Sequence, residues 1–297
     1  MTYEKCTLCP RRCGVDRTRG ERGVCRMTSR LVLARAALHH WEEPCISGTA
    51  GSGTVFFSGC PLGCIYCQNR EIADGSHGLP VDDGRLTEIF FELGEAGAHN
   101  INLVTPTHFA PTVIAAIRRA RDEGFTLPFV CNTSGYETVE TLRAFEGLID
   151  IYLTDLRYAR PATAAAYSHA SDYPAVAKAA LAEMVRQTGA EVLDGAGIMT
   201  RGTIVRVLLL PGYLTDAKLS LLHLAKHYGD RVRDSIMQQS TPPAGMPPPL
   251  DRRVTEAEYA ALIRYAGTLS VTNAYTQERE AADASFIPPF DLTGVRK

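Results

Sequence analysis

From residue 54 onward the chain alternates short β-type runs with segments of helical period, and this alternation restricts the fold more than any other feature. The strand candidates are TVFFSG (54–59), INLVTP (101–106), PFVCNTS (128–134), DIYLTDL (150–156), TIVRVLLLP (203–211) and DSIMQQS (234–240). Between them, Leu86, Ile89, Phe90 and Leu93, then Val113, Ile114, Ile117 and Ala120, recur at spacings of three and four. Val176 to Met184 and Leu219 to Tyr228 follow the same rule, and VTEAEYAALIRYAG predicts a last helix capped by Thr255. Strict alternation implies parallel strands joined by right-handed crossovers, in an open doubly wound sheet or a full or partial barrel. Periodicity does not choose between these. Such folds place their sites at the C-terminal ends of the strands. There the sequence puts Ser58, Gly59, Thr105, Thr107, Asn132, Thr133, Ser134, Asp155, Arg157, Gln238 and Gln239. The proline-rich TPPAGMPPPLDRR (241–253) reads as a stiff connector beside them.

The 297 residues suit one large domain, 46–297, preceded by a small cysteine-rich segment, 1–45. No apolar run approaches the ~18 residues that span a bilayer, and MTYEKCTLCPRRC is no signal peptide, so a cytoplasmic protein with no membrane partner is expected. In that compartment nine cysteines point to metal rather than disulfides. Seven form two groups: Cys6, Cys9, Cys13 and Cys25, then Cys60, Cys64 and Cys67. Cys45 and Cys131 read as small buried hydrophobes. Residues 1–35 hold Lys5 and eight arginines against Glu4, Asp16 and Glu21, so 9 − 3 gives +6, while the whole chain carries −2. This reads as a cationic surface, either simply solvated or suited to an acidic protein or RNA.

A 4Fe-4S cluster is commonly held by four thiolates. Three in one loop, CxxxCxxC, leave one iron open to a small molecule, as a catalytic zinc keeps an open position. GCPLGCIYCQN (59–69), with Tyr66 just before the third cysteine, resembles the cluster loop of the radical S-adenosylmethionine (radical SAM) superfamily. The resemblance covers roughly 46–297 and extends to proteins related to the pyruvate formate-lyase activating enzyme, in the branch with an added N-terminal cysteine segment. It implies a partial (β/α)6 barrel, a 4Fe-4S cluster on Cys60, Cys64 and Cys67, and S-adenosylmethionine as the ligand of the open iron. It also implies a flavodoxin- or ferredoxin-like reductant.

In that family Asn69 of CQN corresponds to a cofactor contact. NTSG (132–135) is similar to Asp-Thr-Asn-Gly and TDLR (154–157) to Asp-x-Lys. Carried over, Thr133 and Asp155 become ligands of a monovalent cation and Arg157 a carboxylate contact, with Asn132 and Ser134 beside them. Asn132 departs from the family's acid. IVRVLLLPG (204–212) resembles the segment whose arginine, here Arg206, reaches the cofactor. An arginine within a strand is equally well explained by a neutralising acid. The family's GGEP stretch is absent. NLVTPTH stands in its place, with Thr105 and Thr107 offering hydroxyl and backbone groups to the cofactor's amino end and His108 as a proton donor, a substrate contact or, as for most lone loop histidines, neither.

The N-terminal CxxCxxxC plus Cys25 offers four ligands and a closed site, for a second 4Fe-4S cluster or a structural zinc. The expected function is reductive cleavage of S-adenosylmethionine followed by hydrogen-atom abstraction. The substrate is a glycine in a partner glycyl-radical enzyme, as for an activase-like oxidoreductase, or a peptide side chain or small metabolite. A rival of another class is a non-catalytic iron–sulfur or zinc protein that carries electrons or binds RNA, although nucleic acid is not the expected partner.

Overall fold

The computed structural model describes residues 2–239, 245–277 and 287–296. Its strands are β1 (Leu31–His39), β2 (Ser52–Phe57), β3 (Leu79–Val81), β4 (Ile101–Val104), β5 (Phe129–Thr133), β6 (Ile151–Asp155), β7 (Val192–Leu193), β8 (Met199–Leu208), β9 (Arg233–Met237) and β10 (Ala274–Thr276). The helices are α1 (Pro44–Ser47), α2 (Arg70–Ala73), α3 (Asp83–Glu95), α4 (Ala110–Asp122), α5 (Val139–Ala144), α6 (Pro161–Ser168), α7 (Tyr173–Thr188), α8 (Leu214–His227) and α9 (Glu256–Thr268). The sheet order is β10-β9-β8-β6-β5-β4-β2-β1-β3, with β7 on β8. β2, β4, β5, β6, β8 and β9, the six runs expected from the sequence, are parallel throughout. The sheet ends at β3 and β10 without joining them, which is the partial-barrel arrangement.

Of the strands outside that set, β3, β7 and β10 are only two or three residues long, whereas β1, LVLARAALH, is an apolar run that precedes the alternating part of the chain. β1 carries Arg35 at a bulge and pairs antiparallel with β2 and β3. It also lies within residues 1–45, so the stretch expected to be an appended segment contributes a strand to the main sheet. Short helices such as α5 and α6 are too brief for periodicity to register. Thr255 caps α9 in a full capping box with Glu258. Within the proline-rich run, residues 241–244 lie outside the described residues, and 245–253 contain turns but no helix or strand. Among the described residues no helix is long and apolar enough to cross a membrane.

Alternation along the parallel strands divides their side chains between two faces. Val55, Phe57, Leu103, Phe129 and Cys131 face out against α3, α4 and α7. On the other face Cys45 and Ile46 of α1 pack on Val130, Ile151, Leu153, Met199 and Ile204, closing the end where the strands begin. At this end buried polar side chains pair with one another: Ser52 donates to Asn100 Oδ1 at 2.6 Å, and Asn100 Nδ2 to the Ile46 carbonyl at 2.8 Å. The C-terminal residues return to this wall. The Leu292 amide donates to Ala34 O, the Ala36 amide to Thr293 O, and Phe290 meets Phe56 edge-on at 5.3 Å.

Candidate active site

The loop after β2 begins with Gly59 at φ +82°, a left-handed conformation where a β-carbon would also meet Cys25 O at 2.6 Å. A turn closed by Cys67 N to Cys64 O brings the later cysteines together. Cys60, Cys64 and Cys67 then line a cavity of about 90 Å³ with Asn69, Thr105, Thr133, Ser134 and Arg157. Among the described residues no three Cys, His, Asp or Glu side chains converge on a single-ion point. Three sulfurs spread along a cavity wall are the donor set that a multi-iron cluster takes. Burial and the neighbouring thiols push Cys67 up to about 12 and raise Cys60, so a bound cation is needed to keep these sulfurs as thiolates. Cys64 Sγ accepts from Ser168 Oγ at 3.0 Å, from Arg157 Nη1 at 3.5 Å and from Tyr158 at 3.9 Å.

Cys67 also faces a second cavity, of about 170 Å³, that gathers Tyr66, Asn69, Asn132, Asp155, Arg157 and Arg206. These residues come from the cluster loop and the ends of β5, β6 and β8. The Tyr66 hydroxyl is buried and makes no well-formed hydrogen bond among the described residues. Arg157 Nε donates to Asp155 Oδ2 at 2.8 Å, so the expected carboxylate-binding arginine already holds a carboxylate of the protein. Arg206 does likewise. It donates to both oxygens of Glu43 at 2.7 Å and to Glu42, whose other oxygen accepts from Asn102 at 2.9 Å and Asn132 at 3.3 Å. Glu43 is held below its ordinary range by the Arg206 charge, against its burial. Three carboxylates against two guanidiniums leave this cluster at −1.

Glu42 and Glu43 were missed as site residues; the signal was Arg206 itself, since an arginine buried in a strand needs an acid. Glu137 was missed too, and a single acid in a loop has no signature. It is fully buried, its carboxyl pushed up to about 8 by desolvation. The Thr133 hydroxyl donates to it at 2.9 Å. The pair expected to share a cation is thus divided, Thr133 on Glu137 and Asp155 on Arg157. Thr105 sits at φ 60° with its amide on Asn132 O, and the Ser134 carbonyl accepts from Tyr173 Oη at 2.7 Å. Thr107 and His108 are buried outside both cavities. Burial lowers His108 to about 3, and its Nε2 donates to Ser58 O at 2.9 Å. Cys131 and Cys45 are buried among apolar side chains.

The N-terminal cysteines are set on turns, Arg12 N to Cys9 O and Arg26 N to Gly23 O. A β-carbon at Gly23 would lie 3.1 Å from Cys13 Sγ and 3.5 Å from Cys25 Sγ, a cradle that only glycine leaves open. Burial pushes Cys9 up to about 12, with Cys25, Cys6 and Cys13 adding to it. Among the described residues these four thiols, like the triplet, do not converge on a single-ion point. The expected cationic surface is corrected in part. Arg17 is 1% exposed, its Nη1 on His108 O at 2.6 Å and its guanidinium 4.8 Å from the Tyr3 ring, while Arg11 turns onto backbone carbonyls. Arg12, Arg19, Arg22, Arg26 and Arg30 remain exposed.

Residues 46–159 match a family described as "4Fe-4S single cluster domain", a span that contains the triplet, Asp155 and Arg157. A solved structure, a radical SAM methyltransferase from Sphaerobacter thermophilus, superposes with a TM-score of 0.52 at 15% identity, covering 76% of this chain and 66% of that one, just under two thirds of its length. This is the radical SAM fold. The match places a 4Fe-4S cluster domain over the triplet, and the superposition shows a shared fold. Uncharacterized protein MJ0674 of Methanocaldococcus jannaschii is 24% identical over 275 residues, 89% of this chain and 75% of that protein. Methylornithine synthase aligns at 13% identity over 73% of this chain and 68% of that one, with a TM-score of 0.49.

Proposed function

We propose that this chain is a radical SAM enzyme whose open cluster is held by Cys60, Cys64 and Cys67. The observation that carries the proposal is Cys67, which faces both the cysteine-lined cavity and the cavity holding Asp155, Arg157 and Arg206. When bound, the cluster supplies the electron that splits S-adenosylmethionine into methionine and a 5′-deoxyadenosyl radical. The chain's own residues hold and orient. Arg157, fixed by Asp155, sets a positive charge beside the Cys64 sulfur. The buried Tyr66 hydroxyl and the Asn69 side chain offer polar groups to the cofactor. The −1 of the acid–arginine cluster favours a sulfonium cation. Phe56, Val104, Leu208 and Met237 supply apolar wall that excludes water.

The resemblance of CQN, NTSG and TDLR favours a glycine of a partner glycyl-radical enzyme as the hydrogen donor. A cavity of about 170 Å³ suits a peptide side chain or small metabolite as well. In this reading the N-terminal cysteines hold a second 4Fe-4S cluster or a zinc, and an acidic flavodoxin- or ferredoxin-like reductant docks at the exposed arginines beside them. The test is anaerobic incubation of the reduced protein with S-adenosylmethionine. Release of 5′-deoxyadenosine by the wild type and none by Cys64→Ala is the expected result. No product from a fully loaded wild type would overturn the reading in favour of an electron carrier.

A further inference from the structure

Arg11 lies between Cys9 and Cys13, yet its guanidinium reaches the other cysteine group. Nε donates to Pro61 O at 3.0 Å and Nη2 to Leu62 O at 3.1 Å, both within the Cys60–Cys64 loop. The same fork donates to Ser168 O at 2.7 Å and His169 O at 2.5 Å, and lies over the Tyr136 ring at 5.2 Å. Its neighbour Arg12 is exposed, in an ion pair with Glu140 at 3.6 Å. A rigid planar fork with five N–H donors can serve these four carbonyls at once, whereas a lysine ammonium has only three donors. Ser168 extends the contact further, because its hydroxyl donates to Cys64 Sγ at 3.0 Å. A route of direct bonds therefore runs from the first cysteine group through Arg11 and Ser168 to a ligand sulfur of the second.

Two more struts arise from the same segment. Gly59 packs against Cys25 O, and Arg17 holds the carbonyl of His108, whose ring holds Ser58 O. All three end on residues 58–62 or on Ser168 and His169. The segment that provides them has little regular structure, a 3₁₀ turn at Arg17–Arg19 and no α-helix or strand among residues 2–30. A short segment of this kind takes its order from what its thiols bind. Losing that ligand would release Arg11 and leave four carbonyls without their donor.

Resting on the reading of both cysteine groups as metal sites, we propose that Arg11 is a positioning residue through which occupancy of the N-terminal site fixes the loop and the reduction potential of the triplet centre. Hydrogen bonds to a ligand sulfur stabilise the added electron and so raise the potential. Loosening Ser168 lowers it.

The test uses the full chain loaded anaerobically, with the triplet signal assigned as the electron-paramagnetic-resonance signal lost in Cys64→Ala. Arg11→Ala is expected to keep the N-terminal metal, shift the triplet potential downward and speed hydrogen exchange at amides 62–65 by roughly tenfold or more. Cys13→Ala, which gives up the N-terminal metal, should produce the same shift, and the double variant should add nothing to it. Arg12→Ala should change neither readout. Wild-type potential and exchange in Arg11→Ala, or shifts that add in the double variant, would overturn the proposal. If Arg11→Ala does not fold, Arg11→Lys decides: it keeps the charge and loses the fork, and an unshifted potential with unchanged exchange has the same force. Neither readout involves S-adenosylmethionine, so a failure of the radical reading is scored separately.

Discussion

Arg206 Nε and Nη2 donate to the two oxygens of Glu43, each at 2.7 Å, across 163 residues of chain. Side-chain exposures of 14% and 5% put the pair inside the barrel, where removing one partner strands a buried charge. Glu43→Ala is expected to cost about 3–5 kcal/mol in urea unfolding. A loss below ~1 kcal/mol would show that Glu42 alone neutralises Arg206.

Among the described residues the buried Tyr66 hydroxyl makes no well-formed hydrogen bond, so deleting it removes none from the fold. Tyr66→Phe should leave the thermal midpoint within the spread of surface substitutions, roughly 0.5 kcal/mol. The same change should weaken S-adenosylmethionine binding by about tenfold, the value of one hydrogen bond. Equilibrium dialysis under argon reads the second effect, and unchanged affinity would remove Tyr66 from the binding residues.

Glu137 titrates at about 8 in the fold against 4.5 for a free glutamate, because it is desolvated. Between those two values the unfolded chain has lost this proton and the folded chain keeps it. The group's contribution to stability therefore falls as pH rises from 4.5 toward 8 and levels off above. Glu137→Gln keeps an acceptor for Thr133 and removes the titration. Its stability relative to wild type should improve steadily from pH 5.5 to pH 8.5 in paired unfolding curves; a constant difference would place the ordinary glutamate value there.

Two clusters require about eight irons per chain, whereas one cluster with a zinc requires about four irons and one zinc. The reading with a second cluster expects about eight, falling to about four in Cys9→Ala/Cys25→Ala. Elemental analysis of anaerobic protein checks both numbers.

How legible the chain was depended on the range of each signal. The six parallel strands could be found because short β-type runs alternate with segments of helical period, and the triplet because its ligands lie within eight residues of one another. Asp155 and Arg157 could be placed at one end of the sheet from strand direction alone, and Arg206 from the likeness of IVRVLLLPG to the family's arginine segment. Their partners could not, since Glu43 meets Arg206 only after the loop following β1 crosses the barrel. Arg11 and Arg17 were misread for a related reason. An arginine beside cysteines looks like surface charge until the fold brings Pro61, Ser168 and His108 to its donors. Local composition carries no record of such carbonyls, because every residue has one.

The return of residues 287–296 to β1 bears on how the protein is made. Pro288 forms part of the wall of the larger cavity, and Leu292 and Thr293 bond to Ala34 and Ala36, whose codons are translated some 250 residues earlier. A ribosome will therefore have exposed both cysteine groups long before the chamber beside them can be walled. A prematurely terminated product that stops short of this stretch keeps every cysteine of both groups but lacks one side of the chamber beside them.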